Sequence, residues 1–319
     1  MRSKLDRLVT ALEVSRLPLV FTAIANIWLV TLLSRSAALG DGTWPHWTIL
    51  ALTAAVATGL YVFGMTLNDV LDSRHDRTFA PARPIPSGRI SPGAALALGI
   101  AALLLALAAT LPLGRTSTLT ALICAALILL YDAAGKHVPA LGLLLLGIIR
   151  AVHMLIADPS LAFCWPVWLT LSHVVALSTI CYRLEDKRPA LSPRAGWLVL
   201  GSWAFMTMGM VAWMSHVDGL WFPRAPWIWL APTAAALLFL AFAARLLHRA
   251  KAARSAGGGL MKLGLLWLIV YDAAWLLGAG LWTQAAVVGA LLPLAWSAMW
   301  GVHHLRAAAT AVTGFEREG

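Results

Sequence analysis

Long apolar runs separated by short polar stretches set the pattern of this chain. The clearest, Trp47 to Leu67, passes 21 residues without a charge. Comparable runs cover about 17–33, 93–113, 116–131, 138–157, 160–182, 195–217 and 225–244. At 1.5 Å per residue, about 20 helical residues cross the ~30 Å hydrocarbon layer of a bilayer. The runs lack the strict alternation of barrel strands, and lipid admits only helices or closed barrels. An all-α polytopic membrane bundle, forming a single transmembrane domain over 1–319, is therefore expected. The last run, Leu263 to Gly301, carries one charge, Asp272. Its 39 residues would make a helix ~58 Å long. It should therefore fold as two helices hinged near Gly280 to Gln284, giving ten spans.

Composition agrees: 60% of residues are hydrophobic and 12% charged, which excludes an ordinary soluble domain. The net charge of +10 would otherwise point to nucleic acid. Here the basic residues sit in short loops, so membrane lipids and topology account for them and no nucleic acid is expected. With ten spans, all 24 Lys and Arg except Arg35, Arg115, Arg224 and the in-span Arg150 fall on one side. That side is the cytoplasm by the positive-inside rule, holding both termini and the loops after spans two, four, six and eight. The membrane would be the inner or plasma membrane in a bacterium. Trp44, Trp47, Trp165, Trp221 and Trp227 would form the outer aromatic belt. The start, with Arg2, Lys4, Asp6, Arg7, Glu13 and Arg16, reads as a charged amphipathic lead-in and not a signal peptide. Cys124, Cys164 and Cys181 show no metal spacing and read as packing residues.

Candidate chemistry begins where the second span ends. Asn68, Asp69, Asp72 and Asp76 stand at helical spacings that place all four within an arc of ~100°. Three carboxylates on one arc repel each other unless a cation sits among them. Hard oxygen ligands of this kind suit Mg²⁺, with Asp72 central. The plainer alternative is a solvated helix end. A stiff, turn-rich loop follows, Arg83-Pro84-Ile85-Pro86-Ser87-Gly88.

The pair N-D-x-x-D-x-x-x-D and R-P-I-P-S-G resembles the UbiA superfamily of intramembrane prenyltransferases, and the resemblance extends over most of the chain. It implies a ring of nine transmembrane helices around a central cavity, here with a tenth C-terminal span. Polar loops after helices two and six would close the cytoplasmic mouth. It implies Mg²⁺-dependent transfer of a prenyl group from an isoprenyl diphosphate to a small lipophilic or aromatic acceptor. Asn68, Asp69, Asp72 and Asp76 would hold the metal, and Asp69, Asp72, Asp76 and Lys136 would be catalytic. Tyr131 and Lys136 resemble the family's Y-P-x-x-K-R element, with one extra residue between them and His137 in place of Arg. Lys136, Tyr131, Arg77, Arg83 and Arg183 would meet the diphosphate.

The loop after span six departs from the family's second acidic motif. Aligned on Tyr182, Glu185 takes the first acidic position, Asp186 follows, and Pro189 stands at the second. The resemblance leaves Glu185 and Asp186 as the second metal pair; solvated acids offset by Arg183, Lys187 and Arg188 are the alternative. Arg16, Asn26, Arg150 and His153 would line the substrate pocket. For Arg150 a structural ion pair is the alternative, and for Asn26 interhelical packing. Asp272 has no partner legible in the sequence. A terpene cyclase of the same superfamily, or a non-catalytic transport or assembly relative, are the other functional readings. The topology is directly testable. A cysteine placed at Gly319, in a variant without the native cysteines, should react with an impermeant maleimide only after permeabilisation; labelling in intact cells would refute the ten-span reading.

Overall fold

The computed structural model describes residues 10–14, 16, 19–39, 47–222, 225, 227–250 and 252–318, with backbone alone for 35–39, 303 and 306–318. Expectations for Arg2, Lys4, Asp6, Arg7, Leu17, Pro18, Trp44, Arg224, Lys251 and Gly319, and for the side chains of Arg35, Arg306 and Arg317, fall outside the described residues. The helices are α1 (Val20–Leu39), α2 (Trp47–Leu71), α3 (Ser73–Phe79), α4 (Pro92–Thr110), α5 (Arg115–Ala133) and α6 (Pro139–Leu155). They continue with α7 (Trp165–Leu184), α8 (Pro193–His216), α9 (Leu230–Arg249), α10 (Ala253–Gly278), α11 (Trp282–Gly289) and α12 (Leu291–Glu318). Among the described residues there is no strand. Among the described residues, eight helical segments are long and apolar enough to cross a membrane, and Val20–Ser34 and Pro139–Leu155 are shorter apolar helices. Each apolar run of the sequence contains a helix among the described residues.

Local chemistry sets the ends. Ser91 and Ser192 accept hydrogen bonds from the amides of Ala94 and Ala195, each at 3.2 Å, and a proline follows each serine at the first helical position. The expected start of the sixth run near 160 moves to Trp165. The Ser160 amide and hydroxyl both donate to Asp158 Oδ1, at 2.9 and 2.6 Å, holding that segment as a turn. The expected hinge falls where Gly280 takes φ +79°. The Leu281 amide donates to the Leu276 carbonyl and the Gly280 amide to Leu277, at 2.9 and 3.0 Å. This is a Schellman closure, and it needs a residue free to adopt positive φ. A second break, not foreseen, separates α11 from α12 at Ala290. Pro293 lies four residues beyond Gly289 and has no amide hydrogen to continue the ladder.

α1 is the hub, packed against α2, α6, α10, α11 and α12. α2 also packs closely on α4: a Cβ at Gly59 would come within 2.4 Å of the Ala102 carbonyl oxygen, so only glycine permits that approach. Leu29, Met154, Ile228, Ile269, Leu276 and Val288 form the centre of the largest apolar cluster. The outer surface is also apolar, as Trp197, Phe205, Leu230 and Leu104 are all exposed, which suits lipid as the surrounding solvent. Of the expected belt, Trp47, Trp221 and Trp227 are exposed. Trp165 instead packs edge-on against Trp168 and Trp229 and donates to the Leu220 carbonyl. All three cysteines are buried.

Inside the bundle a polar relay joins three helices. Arg150 Nη1 donates to Asn26 Oδ1 at 3.3 Å, and Asn26 Nδ2 donates to Asp272 Oδ2 at 2.7 Å. Arg150 Nη2 also donates to Thr22 Oγ1 at 3.0 Å. Asn26 and Asp272 are fully buried. Asp272 thus has a partner that the sequence did not reveal. The Asn26 amide sits between a cation and an acid and satisfies one face of each. Asn26→Leu should therefore strand both charges. Breaking a buried charged contact costs about 3–5 kcal/mol, so thermal unfolding of the detergent-purified protein should move down by several degrees. Replacing all three residues by leucine should recover most of the loss, and equal unfolding temperatures for Asn26→Leu and the parent would refute the relay.

Candidate active site

The C-terminal ends of α2 and α5 meet the segment around Arg16 and the loop after α3. Although α2 ends at Leu71, the helical bonding runs on: the Asp72 amide donates to Asn68 at 2.9 Å and the Asp76 amide to Asp72 at 2.8 Å. Asn68, Asp72 and Asp76 therefore stay on one face, as their spacing required. Each acid meets a cation. Arg16 Nη2 donates to Asp69 Oδ1 at 3.2 Å. Arg83 Nη1 donates to Asp76 Oδ2 at 2.5 Å and stands 3.8 Å from Asp69 Oδ1. Lys136 Nζ donates to Asp72 Oδ1 at 2.6 Å and to Asn68 Oδ1 at 3.2 Å. Asp69 and Asp76 are each 5% exposed, whereas the side chains of their partners Arg16 and Arg83 are each 39% exposed.

The loop chemistry explains how the cations arrive. In Arg83-Pro84-Ile85-Pro86-Ser87-Gly88 the Ser87 amide and hydroxyl both donate to the Arg83 carbonyl, at 3.0 and 2.7 Å. The Arg89 amide donates to Pro84 at 2.9 Å, closing the turn. Ile85 anchors it by packing with Val14 and Ala95. Arg89 pairs with Glu13 and donates to the Ala82 carbonyl, tying the loop to the segment that carries Arg16. On the other side, Gly135–His137 forms a 3₁₀ turn directly after α5. That tighter turn takes up the extra residue between Tyr131 and Lys136 and still delivers Lys136 Nζ to Asp72. His137 is exposed and outside the cluster.

Tyr131 is half-buried in the last turn of α5, near enough to Asp72 and Arg16 to feel their charge. The residue that sequence reasoning missed is Asp132. It is 3% exposed, lies within electrostatic reach of Lys136, Asp72, Arg16 and Asp69, and has no hydrogen bond or ion pair among the described residues. Its signal was present: it is the one acid of α5 and stands one helical turn before Lys136. Four carboxylates thus face three cations.

The other expected residues lie elsewhere. Arg77 is exposed and without a hydrogen bond or ion pair among the described residues. Arg183 is exposed and lies beside Gly196 of α8. Glu185 pairs with Lys187 at 3.0 Å and packs against Gly257 of α10. Asp186, at φ +47° and 80% exposed, faces Arg188 at 3.5 Å. The expected second metal pair is therefore engaged with its own loop's cations. Of the expected pocket residues only Arg16 stands at this mouth. Asn26 belongs to the buried relay. Arg150 sits 11 residues into α6, ~16 Å along its axis. His153 is 5% exposed with neither ring nitrogen bonded. Among the described residues, no three His, Cys, Asp or Glu side chains stand in a metal-binding arrangement. The donor set still fits a hard divalent cation: it is all oxygen, and it includes one buried carboxylate beyond those the cations pair.

Comparison with curated proteins by sequence finds no match. The fold is shared with solved structures. A structure of digeranylgeranylglyceryl phosphate synthase aligns with a TM-score of 0.58 at 20% identity, covering 86% of this chain and 99% of that one. An apo UbiA homolog from Aeropyrum pernix K1 aligns with a TM-score of 0.58 at 20% identity, covering 81% and 97%. The model of the UbiA prenyltransferase family matches residues 27–266, the stretch that holds the acid face, the Pro-rich loop and Lys136; the chain is a multi-pass membrane protein of the UbiA prenyltransferase family.

Proposed function

We propose that the protein transfers a prenyl group from an isoprenyl diphosphate to a small lipophilic or aromatic acceptor in the membrane, with its termini and charged loops in the cytoplasm. The observation that carries this reading is the interlock of Arg16, Arg83 and Lys136 with Asp69, Asp76 and Asp72 at the end of an apolar bundle. A Mg²⁺–diphosphate pair brings both complementary charges at once. The carboxylates can turn to the cation and the basic groups to the phosphate oxygens. Asn68, Asp69, Asp72 and Asp76 would hold Mg²⁺, with Asp132 adding the unpaired carboxylate. Bound there, Mg²⁺ would neutralise charge building on the pyrophosphate as it leaves.

The transfer breaks the allylic C–O bond, whose electron pair departs with pyrophosphate, and forms a bond from the acceptor's nucleophilic atom to the prenyl carbon. The acceptor then loses a proton. Lys136, Arg16 and Arg83 orient the diphosphate and offset its charge. The apolar interior excludes water that would otherwise capture the carbocation. A second reading, a relative that binds the diphosphate without transferring it, is favoured by the Glu185–Lys187 and Asp186–Arg188 pairing. Reconstitution with labelled prenyl diphosphates and membrane extracts separates these readings. A prenylated product supports transfer, a hydrocarbon with released pyrophosphate supports cyclisation, and binding without turnover supports the second reading.

Two sets of variants test the residue roles by titrating labelled geranyl diphosphate and Mn²⁺ onto the purified protein. Asp72→Ala should abolish the metal dependence of diphosphate binding. Lys136→Gln should weaken diphosphate binding by roughly 10–150-fold, the equivalent of a ~1.5–3 kcal/mol charged hydrogen bond. It should leave Mn²⁺ affinity undiminished, because Asp72 loses its competing partner. Parental diphosphate affinity in either variant would sink the assignment. Asp132→Asn should lower Mn²⁺ affinity. The double change Glu185→Gln with Asp186→Asn should not, and the reverse pattern would move the metal to the loop after α7.

A further inference from the structure

Below the acid cluster, the helix faces that carry it continue into the bundle. On α2 the arc of ~100° that holds Asn68 and Asp69 also holds Met65 and Tyr61. On α5 the buried stripe runs from Asp132 through Ile128 to Cys124. Both faces end at the depth of Arg150: Tyr61 and Cys124 lie within its electrostatic reach, and Tyr61 is also reached from the mouth by Arg16. Arg150 donates to Thr22 and Asn26 of α1 and is reached by Asp272 of α10. With α1, α2, α5 and α10 around it, the surface that half-buried Arg150 retains faces the bundle interior. Among the described residues, its Nε–H and the Tyr61 hydroxyl have no hydrogen bond. One turn further along α6 and α10, His153 and Trp275 are 5% and 2% exposed. Neither ring nitrogen of His153, nor Trp275 Nε1, has a partner among the described residues.

We propose that this polar layer is the floor beneath the donor's hydrocarbon chain, and that it restricts the donor to short prenyl groups. The inference rests on the proposed reading of the acid cluster as the diphosphate site. Two helices give the depth independently. Asp69 and Tyr61 on α2, and Asp132 and Cys124 on α5, stand eight positions apart, about 12 Å of helix. An isoprene unit adds four carbon–carbon links of ~1.5 Å laid zigzag, roughly 5 Å in all. Two units therefore lie extended above the floor, whereas four, roughly 20 Å long, do not. Between the two levels these faces offer Met65 and Ile128, both apolar. The floor is different in kind. A chain driven into it would lie against Arg150 and Tyr61 and leave their polar groups without any partner, a penalty that an apolar side chain at the same depth does not impose. His153 and Trp275 extend the penalty by a further turn, so the layer is more than one side chain thick. Geranyl is thus the longest group that binds fully extended.

The test titrates labelled geranyl and geranylgeranyl diphosphates, with Mg²⁺, onto the full chain purified in detergent. Geranylgeranyl diphosphate should bind at least 10-fold more weakly than geranyl diphosphate. Replacing Asn26, Arg150 and Asp272 together by leucine removes the charges and shortens the arginine. The affinity for geranylgeranyl relative to geranyl diphosphate should then rise at least 10-fold. Tyr61→Leu, made separately so that one failure to fold does not decide the matter, should move the ratio in the same direction. Met65→Trp fills the space above the floor and should weaken geranyl diphosphate at least 10-fold relative to inorganic pyrophosphate. A relay with a structural role alone would change both donors alike and leave their ratio where it was. Equal binding of the two donors by the parent, or the parental ratio in the folded floor variants, would overturn the inference and leave the transfer reading standing. Binding of neither donor would remove the diphosphate site, and the floor with it.

Discussion

A charge withdrawn from water must lie beside its opposite, and this structure is arranged around that constraint. It operates at two depths. At the mouth, Asp69, Asp72 and Asp76 are matched by Arg16, Lys136 and Arg83. Deeper in, Arg150 and Asp272 are joined through the Asn26 amide. In a low-dielectric interior an unpaired ion would neutralise itself or unfold its surroundings. The apolar helices supply the wall, and these polar contacts decide how α1, α2, α5, α6 and α10 are held against each other.

The two groups differ in what they permit. The inner relay is enclosed: Asn26 and Asp272 have no solvent access, so their partners are fixed by packing. The mouth is accessible, and its arginines retain unused donors. Ion pairs of that kind are exchangeable, because a ligand carrying both signs of charge satisfies each member as well as its present partner does. A metal–diphosphate pair has that character. On the proposed reading, Asp132, buried next to these pairs and unmatched by any of them, would favour a cation in the site.

The loop after α7 shows the same constraint met differently. Glu185 and Asp186 find Lys187 and Arg188 within their own loop, and Asp186 takes a left-handed backbone conformation to do so. The buried acids of the cluster, Asp69, Asp76 and Asp132, lie on α2, α3 and α5. α12 packs on α1 and α10, and its Met299 and Val302 wall a cleft beside Arg16.

The sequence by itself determined the class of fold, because a bilayer accepts an apolar run of about 20 residues in essentially one form. It also determined that Asn68, Asp72 and Asp76 share a face, since helical spacing is local. The Gly280 hinge was legible for the same reason: helix length against membrane thickness is arithmetic on the chain. Only the tertiary structure decided the partners. Asn26 and Asp272 are 246 positions apart. Nothing near either residue names the other, so Asn26 read as a pocket residue and Asp272 as partnerless. Asp132 was overlooked because its meaning depends on Lys136 turning back through a 3₁₀ turn onto Asp72. An aligned motif placed Glu185 and Asp186 with a metal, and their pairing with Lys187 and Arg188 is set by the conformation of the loop, which the motif does not carry. Spacing along one helix is set by covalent geometry, whereas which charges meet is set by how separate helices pack, and that is a property of the whole bundle.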